Sequence, residues 1–193
     1  MRAVGPNTRV LDVGCATGIM TRALKERLGC RVTAVDISEA MAEETAPYAD
    51  EVVVGDISCA ETRRKLSGPF DHIVFADVLE HLADPWETLR WARETLAGDG
   101  SVLASIPNVA YYRVRLRLLA GRFDYTRFGI LDDTHLRFFT LKTAKRLFID
   151  SGYTVCELAR VNARVLSIPA RVLPGLFAYQ FALKGSVARR VER

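Results

Sequence analysis

Residues 9–18 read RVLDVGCATG, an apolar run that ends directly in a turn with two glycines. Near-continuous apolar runs are typical of strands that are buried on both faces of a parallel sheet. Glycines at a strand-to-helix turn let the backbone approach a bound ligand closely. The stretch therefore predicts a buried first strand, then a ligand-binding turn from Gly14 to Gly18, and then a helix.

The rest of the chain repeats this unit of strand and helix. Apolar runs predict further strands at residues 31–35, 51–54, 70–76, 101–106, 153–158 and 177–183. Between the strands lie helical patterns, at residues 21–28, 38–46, 84–97 and 140–151. This alternation predicts an α/β fold, doubly wound, with a seven-stranded and mostly parallel sheet. A long connection precedes the last strand, which we expect to be antiparallel to its neighbour.

The composition is that of a single globular domain, which we place at residues 1–193. Hydrophobic residues make up 49% of the chain and charged residues 26%, which excludes a disordered chain. The sequence has no apolar run long enough for a membrane span and no signal peptide, so we expect a cytoplasmic protein. The net charge of +4 is too small to indicate a nucleic-acid partner.

The four cysteines show no metal-binding or disulfide pattern. None forms a CxxC pair, and none lies at zinc-ligand spacing from a histidine. We therefore expect reduced thiols and no bound metal.

Carboxylates follow two further strands, at the same predicted edge as the glycine turn. Asp36 ends the second strand, and Asp56 follows the third. In open α/β sheets, ligands bind at the carboxyl ends of the strands. A carboxylate after the second strand can accept hydrogen bonds from ribose hydroxyls, and one after the third can accept a bond from an adenine amino group. The three positions together predict a site for an adenosine-containing cofactor.

A nicotinamide dinucleotide would use the same turn and the same ribose carboxylate. Its signature is G-x-G-x-x-G, in which the helix N-terminus holds a pyrophosphate. Here the glycines follow the pattern G-x-x-x-G, and Ala16 stands where the dinucleotide signature has its second glycine. The spacing therefore disfavours a nicotinamide-dependent oxidoreductase.

Four motifs resemble those of class I S-adenosylmethionine-dependent methyltransferases. They are VLDVGCATG at 10–18, FDHIVFADVLEHL at 70–82, LAGDGS at 96–101 and DDTHLRFFT at 132–140. The last motif resembles the branch that includes quinone-biosynthesis and sugar-tailoring O-methyltransferases. The chain departs from the family at Ala16, since the usual GxGxG loop has a central glycine there. The family usually has a helical segment before the first strand, but only eight residues precede Arg9, so we expect an open site or a longer native chain.

The resemblance implies which residues bind S-adenosylmethionine. The methionine end would contact the glycine turn, and the ribose would contact the end of the second strand. The adenine would lie at the end of the third strand, and the sulfonium would lie at the end of the fourth. In chain order, the expected cofactor-binding residues are Asp12, Gly14, Cys15, Ala16, Gly18, Asp36, Ile37, Met41, Asp56, Ile57, Ala76, Asp77 and Val78.

A hydroxyl acceptor must lose its proton during methyl transfer, which calls for a base such as histidine. Of the three histidines, His72 lies within the fourth strand, where we expect a structural role. His81 either faces the site or holds the start of a helix. His135 is our candidate catalytic base because it lies on the acceptor side beside Asp132 and Asp133. We expect an acidic neighbour to orient the imidazole and raise its pKa.

Residues 108–139 separate the fifth strand from the next helix, and we interpret them as an acceptor-side insertion or lid. Arginines at 113, 115 and 117 alternate there with apolar residues. Three interpretations stay open. The stretch forms a solvated helix face, a lid that favours an anionic acceptor, or a surface that docks on an anionic membrane beside a lipid-linked acceptor.

The favoured function is transfer of a methyl group from S-adenosylmethionine to a small-molecule acceptor, preferably to a hydroxyl of a sugar or a quinone-type ring. One alternative is a non-catalytic S-adenosylmethionine-binding module of a larger chain. A second alternative is an RNA methyltransferase, although the sequence has no appended RNA-binding module and no aromatic-interleaved basic patch. The acceptor atom and the oligomeric state are left open by the sequence.

Overall fold

The computed structural model describes residues 3–161 and 173–187 of the chain. These residues build one seven-stranded sheet. Its strands are β1 (Arg9–Val13), β2 (Arg31–Asp36), β3 (Glu51–Val54), β4 (Phe70–Ala76), β5 (Leu96–Pro107), β6 (Tyr153–Val161) and β7 (Gln180–Val187).

Helices connect most of the strands. They are α1 (Ile19–Leu28), α2 (Glu39–Thr45), α3 (Ala60–Lys65), α4 (Pro85–Thr95), α5 (Tyr112–Leu119) and α6 (Leu141–Asp150), with a short helix at Pro174–Phe177 and 3-10 turns at Ala46–Tyr48 and Leu79–His81. Within the two described ranges, no helix has both the length and the apolar character that crossing a bilayer requires.

The strand order confirms the predicted fold class. Across the sheet the order is β3-β2-β1-β4-β5-β7-β6. Strands β1 to β5 pair in parallel, and β7 is antiparallel to both β5 and β6. The chain leaves β1 toward β2 on one side and returns to β4 on the other. This switch point is where open α/β sheets bind their ligands.

Several predicted boundaries in the half of the sheet that contains β5, β6 and β7 are wrong. Strand β5 begins at Leu96 instead of residue 101, because Leu96 already pairs with Phe70 of β4. Helix α4 accordingly ends at Thr95 instead of residue 97. Strand β7 begins at Gln180 instead of residue 177, because Pro174 starts a short helix. Proline suits the first turn of a helix, where its missing N–H would have no partner.

The buried apolar residues form a cluster on each face of the sheet. The larger cluster joins the sheet to α4 and α6 and includes the fully buried rings of Phe75, Phe148 and Phe181. The smaller cluster joins Val10 of β1 to Leu24 of α1. Each large apolar side chain that is buried contributes about 1.5–3 kcal/mol, so the two clusters hold the strand ends in fixed positions.

The insertion, residues 108–139, lies between β5 and α6 and has a small core of its own. That core consists of four buried side chains, those of Tyr111, Val114, Ile130 and Leu131. The fully buried Asn108 fixes the start of the insertion, because its Nδ2 donates to the carbonyl oxygens of Gly175 (3.3 Å) and Ala178 (2.7 Å). The insertion is therefore folded against the segment before β7, and its action as a lid stays a prediction.

Candidate functional site

The turn after β1 adopts a backbone conformation that glycine makes accessible. Gly14 and Gly18 have φ values of 69° and 74°, in the left-handed region. A Cβ atom on Gly14 would lie 2.5 Å from Cγ2 of Val78, and one on Gly18 would lie 2.9 Å from Oγ1 of Thr45. The turn therefore packs closely against the segment after β4 and the end of α2.

Ala16 has a φ of 46°, so it shares the left-handed conformation without being a glycine. Its amide donates to Oδ2 of Asp36 (2.9 Å), and its carbonyl oxygen accepts from Oγ1 of Thr45 (2.7 Å). A non-glycine residue in this region is strained by about 1–2 kcal/mol, which these two bonds offset. The departure from the family's glycine loop thus leaves the loop conformation in place.

The carboxylate of Asp36 connects the glycine turn to the start of α2. Its Oδ1 accepts from the amide of Ser38 (2.9 Å), while Oδ2 accepts from Ala16. Each carboxylate oxygen has a second lone pair, so Asp36 can also accept bonds from a ligand. The residue is half-buried at the end of β2, where the sequence predicts a ribose contact.

Asp77 follows β4 and is a second strained residue at this edge, with a φ of 57°. Its amide donates to Oγ of Ser105 on β5 (3.0 Å), and its Oδ1 accepts from the same hydroxyl (3.1 Å). Its Oδ1 also accepts from Nε2 of Gln180 on β7. Strained residues that the surroundings hold in place cluster at functional sites. Sequence reasoning missed Gln180, since nothing in the sequence shows that the last strand reaches this edge.

The ends of β1, β2, β3 and β4 enclose a cleft of about 680 Å³. The cleft combines carboxylates with apolar side chains, which suits a nucleoside that has a polar ribose and an apolar ring face. Nine of the predicted cofactor-binding residues line it, namely Gly14, Ala16, Asp36, Ile37, Asp56, Ile57, Ala76, Asp77 and Val78.

A family model described as a methyltransferase domain matches residues 3–158, which is most of the chain. This chain belongs to the class I S-adenosylmethionine-dependent methyltransferases. The family assignment agrees with the sequence motifs and with the strand order, and S-adenosylmethionine is the cofactor of this family.

Curated relatives of this chain include enzymes of quinone biosynthesis. The ubiquinone biosynthesis O-methyltransferase of Caulobacter sp. (strain K31) is 36% identical over 104 residues, which are 52% of this chain and 41% of the relative. That of Caulobacter vibrioides is 33% identical over 111 residues, which are 55% of this chain and 44% of the relative. The matched regions thus span less than half the length of these relatives.

Solved methyltransferase structures share the fold. A putative methyltransferase from Haloferax volcanii, in complex with the Trm112 methyltransferase activator, has a TM-score of 0.68 at 19% identity, over 96% of this chain and 85% of that chain. The Burkholderia thailandensis 1,6-didemethyltoxoflavin-N1-methyltransferase, with bound 1,6-didemethyltoxoflavin and S-adenosylhomocysteine, has a TM-score of 0.64 at 20% identity, over 96% of this chain and 72% of that chain.

Four predicted cofactor-binding residues of this chain do not line the cleft. Asp12 is buried, and its Oδ2 accepts from Oγ1 of Thr21 (2.6 Å), which ties β1 to α1. Gly18 caps α1, and Met41 lies within α2. Cys15 is buried in the turn, and this burial raises the pKa of its thiol to about 11. Contacts between the cofactor and these four residues stay a prediction. In the structure their positions in the turn, in β1 and in the two helices contribute to the fold.

The histidines take three different positions. His72 lies between Oγ of Ser101, 2.8 Å from its Nδ1, and the amide of Gly5, which donates to Nε2 at 3.3 Å. These contacts agree with the expected structural role. His81 lines the cleft, and its Nδ1 lies 3.1 Å from Oγ1 of Thr134 in the insertion. His81 therefore both faces the site and holds the insertion.

The expected orientation of His135 by an acidic neighbour and the expected net rise in its pKa are wrong, although the charge of Asp132 does act to raise the pKa. Oδ1 of Asp132 accepts from the amide (2.9 Å) and hydroxyl (2.5 Å) of Thr134. The Nδ1 of His135 instead lies 3.2 Å from the carbonyl oxygen of Ile130. Burial lowers the pKa of His135, because the imidazolium cation is poorly solvated there, and the nearby His81 lowers it further. His135 thus favours its neutral form.

A buried carboxylate that the sequence analysis did not select lies beside these histidines. Glu80 is 1% exposed, and neither of its carboxyl oxygens has a hydrogen-bond partner among the described residues. Burial raises the pKa of Glu80 to about 8. The available signal was the Leu-Glu-His motif, but that motif alone does not show that Glu80 points inward.

Glu80, His81 and His135 form a cluster whose ligand atoms lie within 4.8 Å of one another. The Nδ1 atoms of both histidines face oxygen atoms, so a neutral imidazole donates there and keeps Nε2 as an acceptor. Two imidazole nitrogens and one carboxylate can hold a divalent transition-metal ion, and they can also carry a proton. The expectation of no metal rested on the spacing of residues along the sequence. Such spacing does not show that His135 lies close to Glu80 and His81 in the folded chain.

Proposed function

We propose that this chain transfers the methyl group of S-adenosylmethionine to a hydroxyl of a small-molecule acceptor, such as a sugar or a quinone-type ring. The cleft carries this proposal, because Asp36, Asp56 and Asp77 converge on it from the ends of three strands. The names of the curated relatives, which are O-methyltransferases, support a hydroxyl as the acceptor.

The cofactor would lie across the strand ends. In this arrangement Asp36 accepts hydrogen bonds from the ribose hydroxyls, and Asp56 accepts one from the adenine amino group. Asp56 is already oriented by the amide of Ser58, which donates to Oδ1 at 2.7 Å. The methionine end would contact the turn at Gly14, with Asp77 beneath the sulfonium.

Methyl transfer is an in-line displacement. The acceptor oxygen attacks the methyl carbon, the bond from that carbon to sulfur breaks, and S-adenosylhomocysteine leaves with the electron pair. Because the sulfonium is already activated, the protein's main contribution is to align the oxygen, the carbon and the sulfur. The acceptor hydroxyl proton must also be removed, and the free Nε2 of His135 is our candidate for the base.

The cluster of Glu80, His81 and His135 permits a second role for the same nitrogen. If a divalent cation occupies the cluster, Nε2 of His135 is a ligand, and the cation lowers the pKa of a bound hydroxyl instead. Dialysis against a chelator separates the two roles. Turnover that survives the chelator supports the base, whereas turnover that the chelator removes and added metal restores supports the ligand.

The first experiment is a calorimetric titration of S-adenosylhomocysteine, with NAD as a parallel ligand. We expect binding of the former alone, and a stabilisation of about 2.7 kcal/mol at a hundredfold excess over Kd. Transfer of a labelled methyl group to a panel of quinols, catechols and sugars then tests the acceptor class. Absence of S-adenosylhomocysteine binding would contradict the proposed function at its first step.

A non-catalytic cofactor-binding module is the second candidate. The observation that favours it is the matched length, which is under half of each curated relative. This candidate predicts tight S-adenosylhomocysteine binding but no labelled product with any acceptor of the panel.

A further inference from the structure

The insertion forms a second pocket, separate from the cofactor cleft, with a volume of about 550 Å³. Its floor consists of the apolar side chains of Val114, Ile130 and Leu131, which belong to the small core of the insertion. Arg113 and Arg117 line the same pocket from α5. A positively charged wall over an apolar floor fits a ligand that has an anionic group on an apolar or ring-shaped body.

The two arginines lie four residues apart in α5, so their side chains project from the same side of the helix. Nε of Arg113 donates to Oη of Tyr112 (3.1 Å), and no other described residue accepts a hydrogen bond from its terminal nitrogens. Arg117 lies 3.3 Å from Asp124, but both side chains of this ion pair are about half exposed. An exposed pair of this kind contributes little, so an anionic ligand can compete for Arg117.

The charge around the pocket is strongly one-sided. Residues 111–128 contain five arginines and one acidic residue, Asp124. Within the described ranges, the residues that line the pocket include no aspartate and no glutamate. Guanidinium groups form paired, charge-assisted hydrogen bonds with phosphate as well as carboxylate oxygens, and two guanidinium groups can together neutralise the two or more negative charges of a phosphate or diphosphate group.

The pocket adjoins the cofactor cleft through two contacts. Ile130, which lines the pocket, accepts the hydrogen bond from the imidazole of His135. Tyr179, which also lines the pocket, precedes Gln180, whose amide donates to Asp77 in the wall of the cleft. A ligand in the pocket would therefore lie beside Ile130, which contacts His135, and beside Tyr179, which precedes the Asp77 partner Gln180.

We propose that this pocket binds a phosphate or diphosphate group of the acceptor through Arg113 and Arg117. The acceptor is then a phosphorylated compound, either soluble, as in a nucleotide-linked sugar, or carried on a lipid. The place of this group in the reaction rests on the proposed methyl transfer, but its binding does not depend on turnover. Both sources present the same phosphate chemistry to the two arginines.

The test is a calorimetric titration of sodium pyrophosphate into the protein saturated with S-adenosylhomocysteine. In the double variant Arg113→Gln/Arg117→Gln, we expect pyrophosphate binding to weaken by about tenfold or more, the effect of losing charged hydrogen bonds. The matched control is Arg64→Gln/Arg90→Gln, which removes two exposed arginines from α3 and α4. The control should bind pyrophosphate like the unaltered chain.

A second arm distinguishes the two sources. The protein is sedimented with phosphatidylcholine vesicles that contain or lack phosphatidylglycerol. Binding that requires the anionic lipid, that pyrophosphate displaces and that the double variant loses assigns the pocket to a lipid-linked phosphate. Pyrophosphate binding without any vesicle binding assigns it to a soluble phosphorylated acceptor.

Equal pyrophosphate binding by the double variant and the control would overturn the proposal, as would no pyrophosphate binding and no lipid-dependent sedimentation by the unaltered chain. S-adenosylhomocysteine binding is measured on every sample. If it is retained while the phosphate result is negative, the pocket proposal alone fails. If it is absent while pyrophosphate still binds through the arginines, the proposed methyl transfer fails and the phosphate site stands.

Discussion

The cofactor edge, which comprises the glycine turn and the ends of β1 to β4, differs in construction from the insertion at residues 108–139. The cofactor edge is shaped mainly by backbone conformation, with left-handed residues at Gly14, Ala16 and Asp77. The insertion is held by side-chain contacts with distant parts of the chain. Its first residue, Asn108, donates to the carbonyl oxygen of Ala178 before β7, and Thr134 contacts His81. A backbone-built site is encoded in a short motif, whereas a site built by distant side chains is encoded only in the whole fold.

The largest expected effect is that of His135→Ala, which changes a side chain of the insertion and leaves the cofactor edge unaltered. Loss of a catalytic base lowers kcat by about 10²–10⁴-fold, while the backbone-built cofactor edge is left intact. Labelled methyl transfer measures turnover, and calorimetry separately measures the affinity for S-adenosylhomocysteine. The control is His135→Gln, which can still donate to the carbonyl of Ile130 but is not a base. Recovery of turnover in the glutamine variant would show that His135 only holds the insertion.

The change Asp36→Ala is expected to weaken cofactor binding, which His135→Ala leaves intact. It removes a carboxylate expected to accept two ribose hydrogen bonds, so S-adenosylhomocysteine should bind at least about 100-fold more weakly. It also releases the amides of Ala16 and Ser38. The matched control is Asp124→Ala, which removes one exposed carboxylate from the insertion. Similar affinities in the two variants would refute the ribose assignment.

Asp12 lies beneath the cofactor edge, and its ionisation should appear in the pH dependence of stability. Burial raises its pKa from 3.8 to about 6, although the bond from Thr21 opposes the rise. The folded chain therefore holds this proton more tightly than the unfolded chain. Its contribution to stability is complete below about pH 4 and is lost as pH rises to about 6, by no more than about 3 kcal/mol.

Asp12→Asn removes this titration but keeps an acceptor for Thr21. Urea unfolding of both proteins between pH 4 and pH 7 measures the difference, in which other titrating groups largely cancel. We expect the variant to gain stability relative to the unaltered chain as pH rises through this range. A constant difference across the range would show that the pKa of Asp12 is not raised.

The smallest expected effect is that of Ala16→Gly. Glycine relieves the strain of the left-handed backbone but loses more entropy on folding, so we expect stabilisation by no more than about 1 kcal/mol. The opposite change at the same turn, Gly18→Ala, should destabilise, because its φ is 74° and the new Cβ would contact Thr45. Thermal unfolding of both variants checks the pair. Destabilisation by Ala16→Gly would mean that the strain inferred at this residue is absent.

The sequence by itself determined the fold and most of the cofactor edge. Alternating apolar runs and helical patterns are local features, and they predict the seven strands and the mostly parallel sheet that the structure confirms. The carboxylates of Asp36 and Asp56 are placed by the rule that parallel strands end at one edge. Nine predicted residues line the cleft because each directly follows or belongs to such a strand end.

The tertiary structure alone decided how the acceptor side is assembled. Gln180 reaches Asp77 only because β7 inserts between β5 and β6, and the sequence does not show which strands a final antiparallel strand will pair with. Glu80 and His135 come together because the insertion folds back over the 3-10 turn, through contacts that no local pattern encodes. The pKa of His135 is likewise lowered because burial outweighs the opposing effect of the acidic neighbour Asp132, and burial is set by the packed structure.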